Sequence, residues 1–111
     1  MVINMNIIRE LYDIVLERKQ DKQEGSYTCY LFEQGIDKIL KKCGEESAEM
    51  LIAAKNGDNA ELSNEIADLI YHILVLCAQS ELEWGQVEEI LVERRNKIGN
   101  LKQFRQTDKD T

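Results

Sequence analysis

The chain contains no proline. No backbone donor is removed from a helix interior, and runs of β-branched residues are few, so long uninterrupted helices are the natural outcome. Cysteine is scarce and odd in number. Cys29, Cys43 and Cys77 show no Cys-x-x-Cys spacing. They read as free thiols in a reducing compartment, which points to the cytoplasm. Cys43 and Cys77 fall on apolar helix stripes, where packing is their ordinary role. Long apolar runs are missing too. The longest, Ile73 to Ala78, is far shorter than the roughly 20 residues that cross a membrane. No basic segment followed by an apolar one opens the chain, so no signal peptide is expected. Positive charge is in deficit: 14 Lys and Arg face 21 Asp and Glu, for a net charge of −7. That argues against a nucleic-acid binder, which needs a basic patch. A phosphorylated substrate stays open, because a bound divalent cation inverts the local field. There is no internal repeat and no low-complexity segment.

What is present fits one all-α domain. The 111 residues predict a single unit over 1–104 and a polar tail over 105–111. A chain this size buries roughly 65% of its unfolded surface, enough for a modest core. A first helix is expected over 6–20, with Ile7, Ile8, Leu11, Ile14 and Val15 on one face and Asn6 as its cap. The polar stretch 19–27, with Gly25, reads as a loop. A helix follows from Thr28 to Asn56, kinked or broken at Gly35. Another runs from Asp58 to Gln79, and a last one from Trp84 to Asn96 after a turn at Ser80–Glu83.

The third and fourth of these segments carry the chemistry. Between Lys41 and Asp68 lie two carboxylate clusters, Glu45-Glu46-Ser47-Ala48-Glu49 and Glu65-Ile66-Ala67-Asp68. Asn56-Gly57-Asp58 separates them. Gly suits the left-handed residue that closes a helix, and Asp58 with Glu61 three residues on reads as an N-cap with a box-like partner. The two helices are then antiparallel neighbours. Glu49 lies eight residues before Gly57 and Glu65 eight after, while Glu46 and Asp68 lie eleven away on either side. At about 1.5 Å rise per residue, Glu49 comes level with Glu65, and Glu46 with Asp68. Each pair is spaced i, i+3 and shares a helix face.

The faces follow at about 100° per residue. On the first arm Lys42, Glu46, Glu49 and Ala53 form one stripe, beside an apolar stripe of Ile36, Leu40, Cys43, Ser47, Met50, Leu51 and Ala54. On the second, Glu61, Glu65, Asp68 and His72 form a stripe beside Leu62, Ile66, Leu69, Ile70, Ile73 and Cys77. Carboxylates next to an apolar stripe wall a partly buried groove. Four like charges there repel, and burial raises their pKa values. A divalent cation removes the conflict, and oxygen donors without a His or Cys cluster suit a hard ion, Mg²⁺ or Mn²⁺. The plain alternative is that these Glu residues are solvated helix faces.

Other residues carry weaker signals. Ser26, Tyr27 and Thr28 sit at a helix start, where hydroxyls and backbone N–H groups either cap the helix or meet a phosphate. Lys38 and Lys42 share the side of the first carboxylates. They either pair with charges such as Glu46 or hold substrate phosphate. His72 follows Asp68 by one turn, as a hydrogen-bonded interface residue or as a support for the ligands. Arg94, Arg95 and Lys97 close the last helix, where they suit its dipole; a phosphate contact through Arg94 is the sharper reading. The segment Leu69 to Ala78 is apolar over much of its circumference, so a second subunit is expected to cover part of this small protein.

Glu45-Glu46-x-x-Glu49, then Glu65-x-x-Asp68, resembles the EExxE…ExxD signature of the MazG-like all-α nucleoside triphosphate pyrophosphohydrolases. The flanks narrow the resemblance. Ser26-Tyr27-Thr28, Leu31-Phe32, Gly35 to Gly44, Ala53-Ala54-Lys55-Asn56 and Ala67-Asp68-Leu69-Ile70-Tyr71-His72 look like the phosphoribosyl-ATP pyrophosphatases of histidine biosynthesis, over about Ile7 to Lys97. The resemblance implies a helical homodimer and Mg²⁺-dependent hydrolysis of phosphoribosyl-ATP to phosphoribosyl-AMP and pyrophosphate, with water attacking between the α and β phosphates. It implies Glu46, Glu49, Glu65 and Asp68 as metal ligands. Glu46 and Glu49 would be closest to the chemistry, Glu45 a secondary ligand or base, and Lys42 and Ser26–Thr28 substrate contacts. Cys43 departs from the Val expected there. A stand-alone form is expected, without the cyclohydrolase of the next step. Which Glu acts as base, and how many ions bind, do not follow from spacing. A related house-cleaning enzyme on free triphosphates, and a non-catalytic helical interaction module, are the competing expectations.

Overall fold

The computed structural model describes residues 6–98. Five helices follow one another: α1 (Ile7–Gln20), α2 (Tyr27–Gln34), α3 (Ile36–Lys55), α4 (Asn59–Gln79) and α5 (Trp84–Lys97). No strand occurs among the described residues. The proposed tail, 105–111, lies outside them.

Each boundary has a local cause. Ser26 caps α2 by accepting the Cys29 N–H at 3.2 Å. Gly35 is a full break rather than a kink. Its φ of +91° and ψ of −174° are open to glycine and strained for any residue with a Cβ. Its N–H still donates to Leu31 O and its carbonyl already accepts from Ile39, so two helices meet there with the ladder nearly intact. Gly57, at φ +71°, closes α3. The Gly57 N–H donates to Ala54 O and the Asp58 N–H to Ala53 O, which satisfies end carbonyls. Asp58 then caps α4, accepting the Glu61 N–H at 3.0 Å. At its other end α4 is closed from outside: the Lys19 ammonium donates to Ala78 O at 2.7 Å, where a cation also suits the helix dipole.

The core is Tyr12, Val15, Leu31, Ile39, Leu74, Val75, Cys77 and Ala78. It therefore joins α1, α2, the start of α3 and the second half of α4. The apolar circumference of α4 is covered mainly by α1, α2 and α3 of the same chain. The uncovered apolar surface lies elsewhere. On α3 the residues turned inward are Ile39, Glu46 and Ala53. Within the apolar stripe read from the sequence, Ile36, Leu40 and Leu51 stay exposed, Leu51 at 65%. The physical reason is that Ile39, Glu46 and Ala53 share the narrow face that α4 and the core can reach. The helix has a second apolar face left over. α5 buries no residue of its own. It is tied on by Trp84, which packs against the core, and by Arg9 donating to Glu83 at 3.0 Å and Glu88 at 2.7 Å.

Candidate metal and substrate site

α3 and α4 pack along their length as an antiparallel hairpin. The Asn56–Asp58 turn sets the register, and three carboxylates converge across the seam. One oxygen each from Glu46, Glu49 and Glu65 lies within 4.8 Å of the others. Glu46 and Glu65 are both buried, at 7% exposure, while Glu49 is exposed. Glu65 thus reaches both acidic residues of α3, not Glu49 alone. Asp68, one turn further along, is exposed and outside that group; its side chain is one methylene shorter than a glutamate. Glu45 also points to solvent and pairs with Lys42 at 3.5 Å, so the lysine's ion pair is with Glu45 rather than Glu46.

The electrostatics are those of a site short of positive charge. The Glu65 carboxyl is pushed up to about 8, first by its neighbour Glu61, then by Glu46 and Glu49, with burial adding to it. Oε2 of Glu46 and Oε2 of Glu65 are buried and have no hydrogen-bond partner. A buried carboxylate oxygen without a donor is costly. Three converging carboxylates, two of them with a buried oxygen left unpaired, are a donor set that suits a hard cation such as Mg²⁺ or Mn²⁺. An open groove of about 300 Å³, lined by Glu49, Ala53, Asn56, Asp58, Glu61 and Glu65, runs along the turn side of the cluster.

The other side of the cluster is walled by α2. Tyr27 is half exposed, yet its hydroxyl is 3.1 Å from His72 Nε2. Burial raises the Tyr27 phenol, Lys42 draws it down, and Glu46 and Glu45 push it up again. The charges of the α3 residues of the site thus reach the Tyr27 phenol. Partial burial works against the Lys42 ammonium, but Tyr27, Glu45 and Glu46 outweigh it and hold its pKa above the ordinary value. Ser26 is spent as a cap, and the Thr28 hydroxyl bonds the Tyr71 hydroxyl. His72 is buried, with Nδ1 2.8 Å from Asp68 O. Lys38 stands over the Tyr30 ring, 6.0 Å from its centroid. Arg94 is not brought here. It is exposed in the last turn of α5 and makes no hydrogen bond or ion pair among the described residues.

Residues 8–96 match the family model for phosphoribosyl-ATP pyrophosphohydrolase. The chain belongs to this family. Among similar proteins, the phosphoribosyl-ATP pyrophosphatase of Pelotomaculum thermopropionicum is 59% identical over 92 residues, 83% of this chain and 94% of that protein. The enzyme of the same name from Clostridium botulinum (strain Kyoto / Type A2) is 53% identical over 102 residues, covering 92% and 93%. That of Clostridium novyi is 48% identical over 99 residues, covering 89% and 90%.

All five helices of this phosphoribosyl-ATP pyrophosphohydrolase family member fall almost wholly inside the matched span. One residue of the α4 stripe takes a larger part than its capping position suggests. Glu61 does most to raise the Glu65 carboxyl and also lines the groove. It looks like a capping partner of Asp58, but its spacing to Glu65 is i, i+4. That spacing places two like charges side by side on one face.

Proposed function

We propose that this protein hydrolyses phosphoribosyl-ATP to phosphoribosyl-AMP and pyrophosphate, in histidine biosynthesis. The observation that carries the reading is the convergence of Glu46, Glu49 and Glu65, two of them with buried oxygens lacking any donor, in a chain of this family. Glu46, Glu49 and Glu65 hold Mg²⁺, or Mn²⁺, and Asp68 completes the set. When bound, the ion neutralises phosphate charge and acts as a Lewis acid. Lys42, on the α2 side of the cluster, supplies a second positive charge to the phosphates. The first turn of α2 offers backbone N–H groups to the same anion. The oxygen of a water forms a bond to the α phosphorus, and the bond from that phosphorus to the α–β bridging oxygen breaks. Pyrophosphate leaves with that oxygen, and the proton released by the water goes to a carboxylate of the site.

A homodimer belongs to the same proposal, supported by the apolar residues that α3 leaves uncovered. No described helix is long and apolar enough to cross a membrane. The three free thiols suit the cytoplasm.

The test is pyrophosphate release from phosphoribosyl-ATP and from ATP, each with Mg²⁺ and with chelator. Metal-dependent release from phosphoribosyl-ATP and not from ATP is expected. Release from ordinary triphosphates instead would move the protein to house-cleaning chemistry. Release from neither, by folded protein with Mg²⁺, would overturn the enzymatic reading.

A further inference from the structure

Two successive residues of α2 are bonded to two successive residues of α4. Tyr27 meets His72 and Thr28 meets Tyr71 through their side chains. The roles in the first bond follow from the chemistry. Asp68 O is a carbonyl and only accepts, so His72 Nδ1 must carry the proton it donates. In the neutral ring Nε2 is then an acceptor, and the Tyr27 hydroxyl donates to it. The rings reinforce the arrangement: Tyr27 lies edge-on to His72 at 5.9 Å between centroids and stacked on Tyr71 at 6.2 Å, and Tyr71 is edge-on to His72 at 5.1 Å.

The two bonds fall at a defined place. His72 hangs from the backbone of Asp68, so its position is fixed by the turn of α4 that follows the carboxylate cluster. Tyr27 is the first residue of α2, near enough to Lys42 and Glu46 for their charges to act on its phenol. The Tyr27 phenol thus connects the α4 ligand helix to the helix start whose N–H groups, with Lys42, form the phosphate side. Its hydroxyl touches none of the three clustered carboxylates.

We infer that Tyr27 and His72 are a positioning pair that sets the start of α2 at the right distance from the carboxylate cluster, and from Lys42 beside that cluster on α3, for the substrate's phosphates. The inference rests on the pyrophosphatase reading above. The pair acts on nucleotide binding, not on the metal, because the hydrogen bond lies on the α2 side of the cluster. The Thr28–Tyr71 bond is a second latch on the same turn.

The test uses Tyr27→Phe, which keeps the ring and removes the donor, His72→Asn, which keeps a donor near Nδ1 and removes the acceptor, and the double variant. Steady-state hydrolysis of phosphoribosyl-ATP at saturating Mg²⁺ is measured with Mn²⁺ binding and thermal melting. Each single variant is expected to raise KM about five- to tenfold, the scale of one partly buried hydrogen bond, with kcat and Mn²⁺ affinity within about twofold. The double variant should resemble the singles, because one bond is broken once. Tyr71→Phe, which leaves the first latch in place, should show a smaller KM effect. An active wild type whose Tyr27→Phe variant melts lower but keeps its KM overturns the pair and leaves the reaction standing. So does a variant that loses kcat or Mn²⁺ affinity with KM unchanged. A wild type that melts cooperatively and does not turn over phosphoribosyl-ATP overturns the reaction and the pair together.

Discussion

Glu65 is where the chain's own residues are most at odds. Its carboxyl stands at about 8 instead of near 4.5 because Glu61, Glu46 and Glu49 surround it. A carboxyl raised in the fold favours the protonated native state. Its stabilisation is complete below about pH 4.5 and is lost as pH rises through about 8. Glu65→Gln mimics the protonated form. In chelator, wild type and Glu65→Gln should melt alike at low pH, and the wild type should fall behind as pH climbs through that window. Mg²⁺ should restore the wild type and do little for the variant. Parallel melting curves across the window would mean that the cluster is solvated. For activity, Glu49→Gln and Asp68→Asn should each lower turnover by at least about a hundredfold, the upper range for disturbing even the groups behind a metal ligand. Both residues are exposed, so their melting temperatures without metal should hold or rise, which separates lost chemistry from lost folding. The meeting of Glu49 and Glu65 was legible because they stand eight residues either side of Gly57, and Glu46 shares the face of Glu49; Asp68, expected level with Glu46, lies outside the group. Glu61 was legible as a member of the α4 stripe but not as a partner of Glu65, because an acidic residue in the first turn of a helix already has a sufficient explanation in the helix dipole and cap.

The hairpin α3–α4 shows how local signals set a long-range meeting. Gly57 and Asp58 end one helix and begin the next within three residues, so the register of twenty-residue arms follows from a few backbone hydrogen bonds. Asp58→Ala should cost about 1 kcal/mol in urea unfolding and shift the carboxylates little. Gly35 is a sharper test of an element boundary. A Cβ built there meets nothing within 4 Å, so Gly35→Ala is penalised by backbone conformation alone. With φ at +91°, the loss should be about 1–3 kcal/mol, and it should vanish if the break relaxes into a continuous helix. Whether Gly35 kinks or breaks was not legible in the sequence, because glycine permits both outcomes. The direction of α2 against α4 was hidden for a different reason. It depends on Tyr27, Thr28, Tyr71 and His72 meeting across more than forty positions of chain, and no periodicity encodes such a contact.

At the scale of the whole molecule, the fold leaves a face unused. The alternation of apolar residues along α3 was readable, but a stripe carries no label for what covers it. The chain's own core takes Ile39 and Ala53 and leaves Ile36, Leu40 and Leu51 exposed on one side of α3, while Ile52, also exposed, lines the groove beside Glu49 and Glu65. Contiguous apolar residues on a soluble surface mark an interface, and self-association covers such a face in a symmetric pair. Leu40→Glu with Leu51→Glu should therefore convert a dimer to a monomer in sedimentation equilibrium. Both side chains are exposed within one chain, at 48% and 65%, so the monomer should retain its helix content. Its pyrophosphatase activity should fall, and the metal-free melting temperature should become independent of protein concentration. A variant that stays dimeric would place the interface on another face, for which Ile90 and Leu91 of α5, exposed at 51% and 57%, are the next pair to charge. A wild type that sediments as a monomer at all concentrations would show that α3 keeps its apolar face in water, and the site would then be complete within one chain.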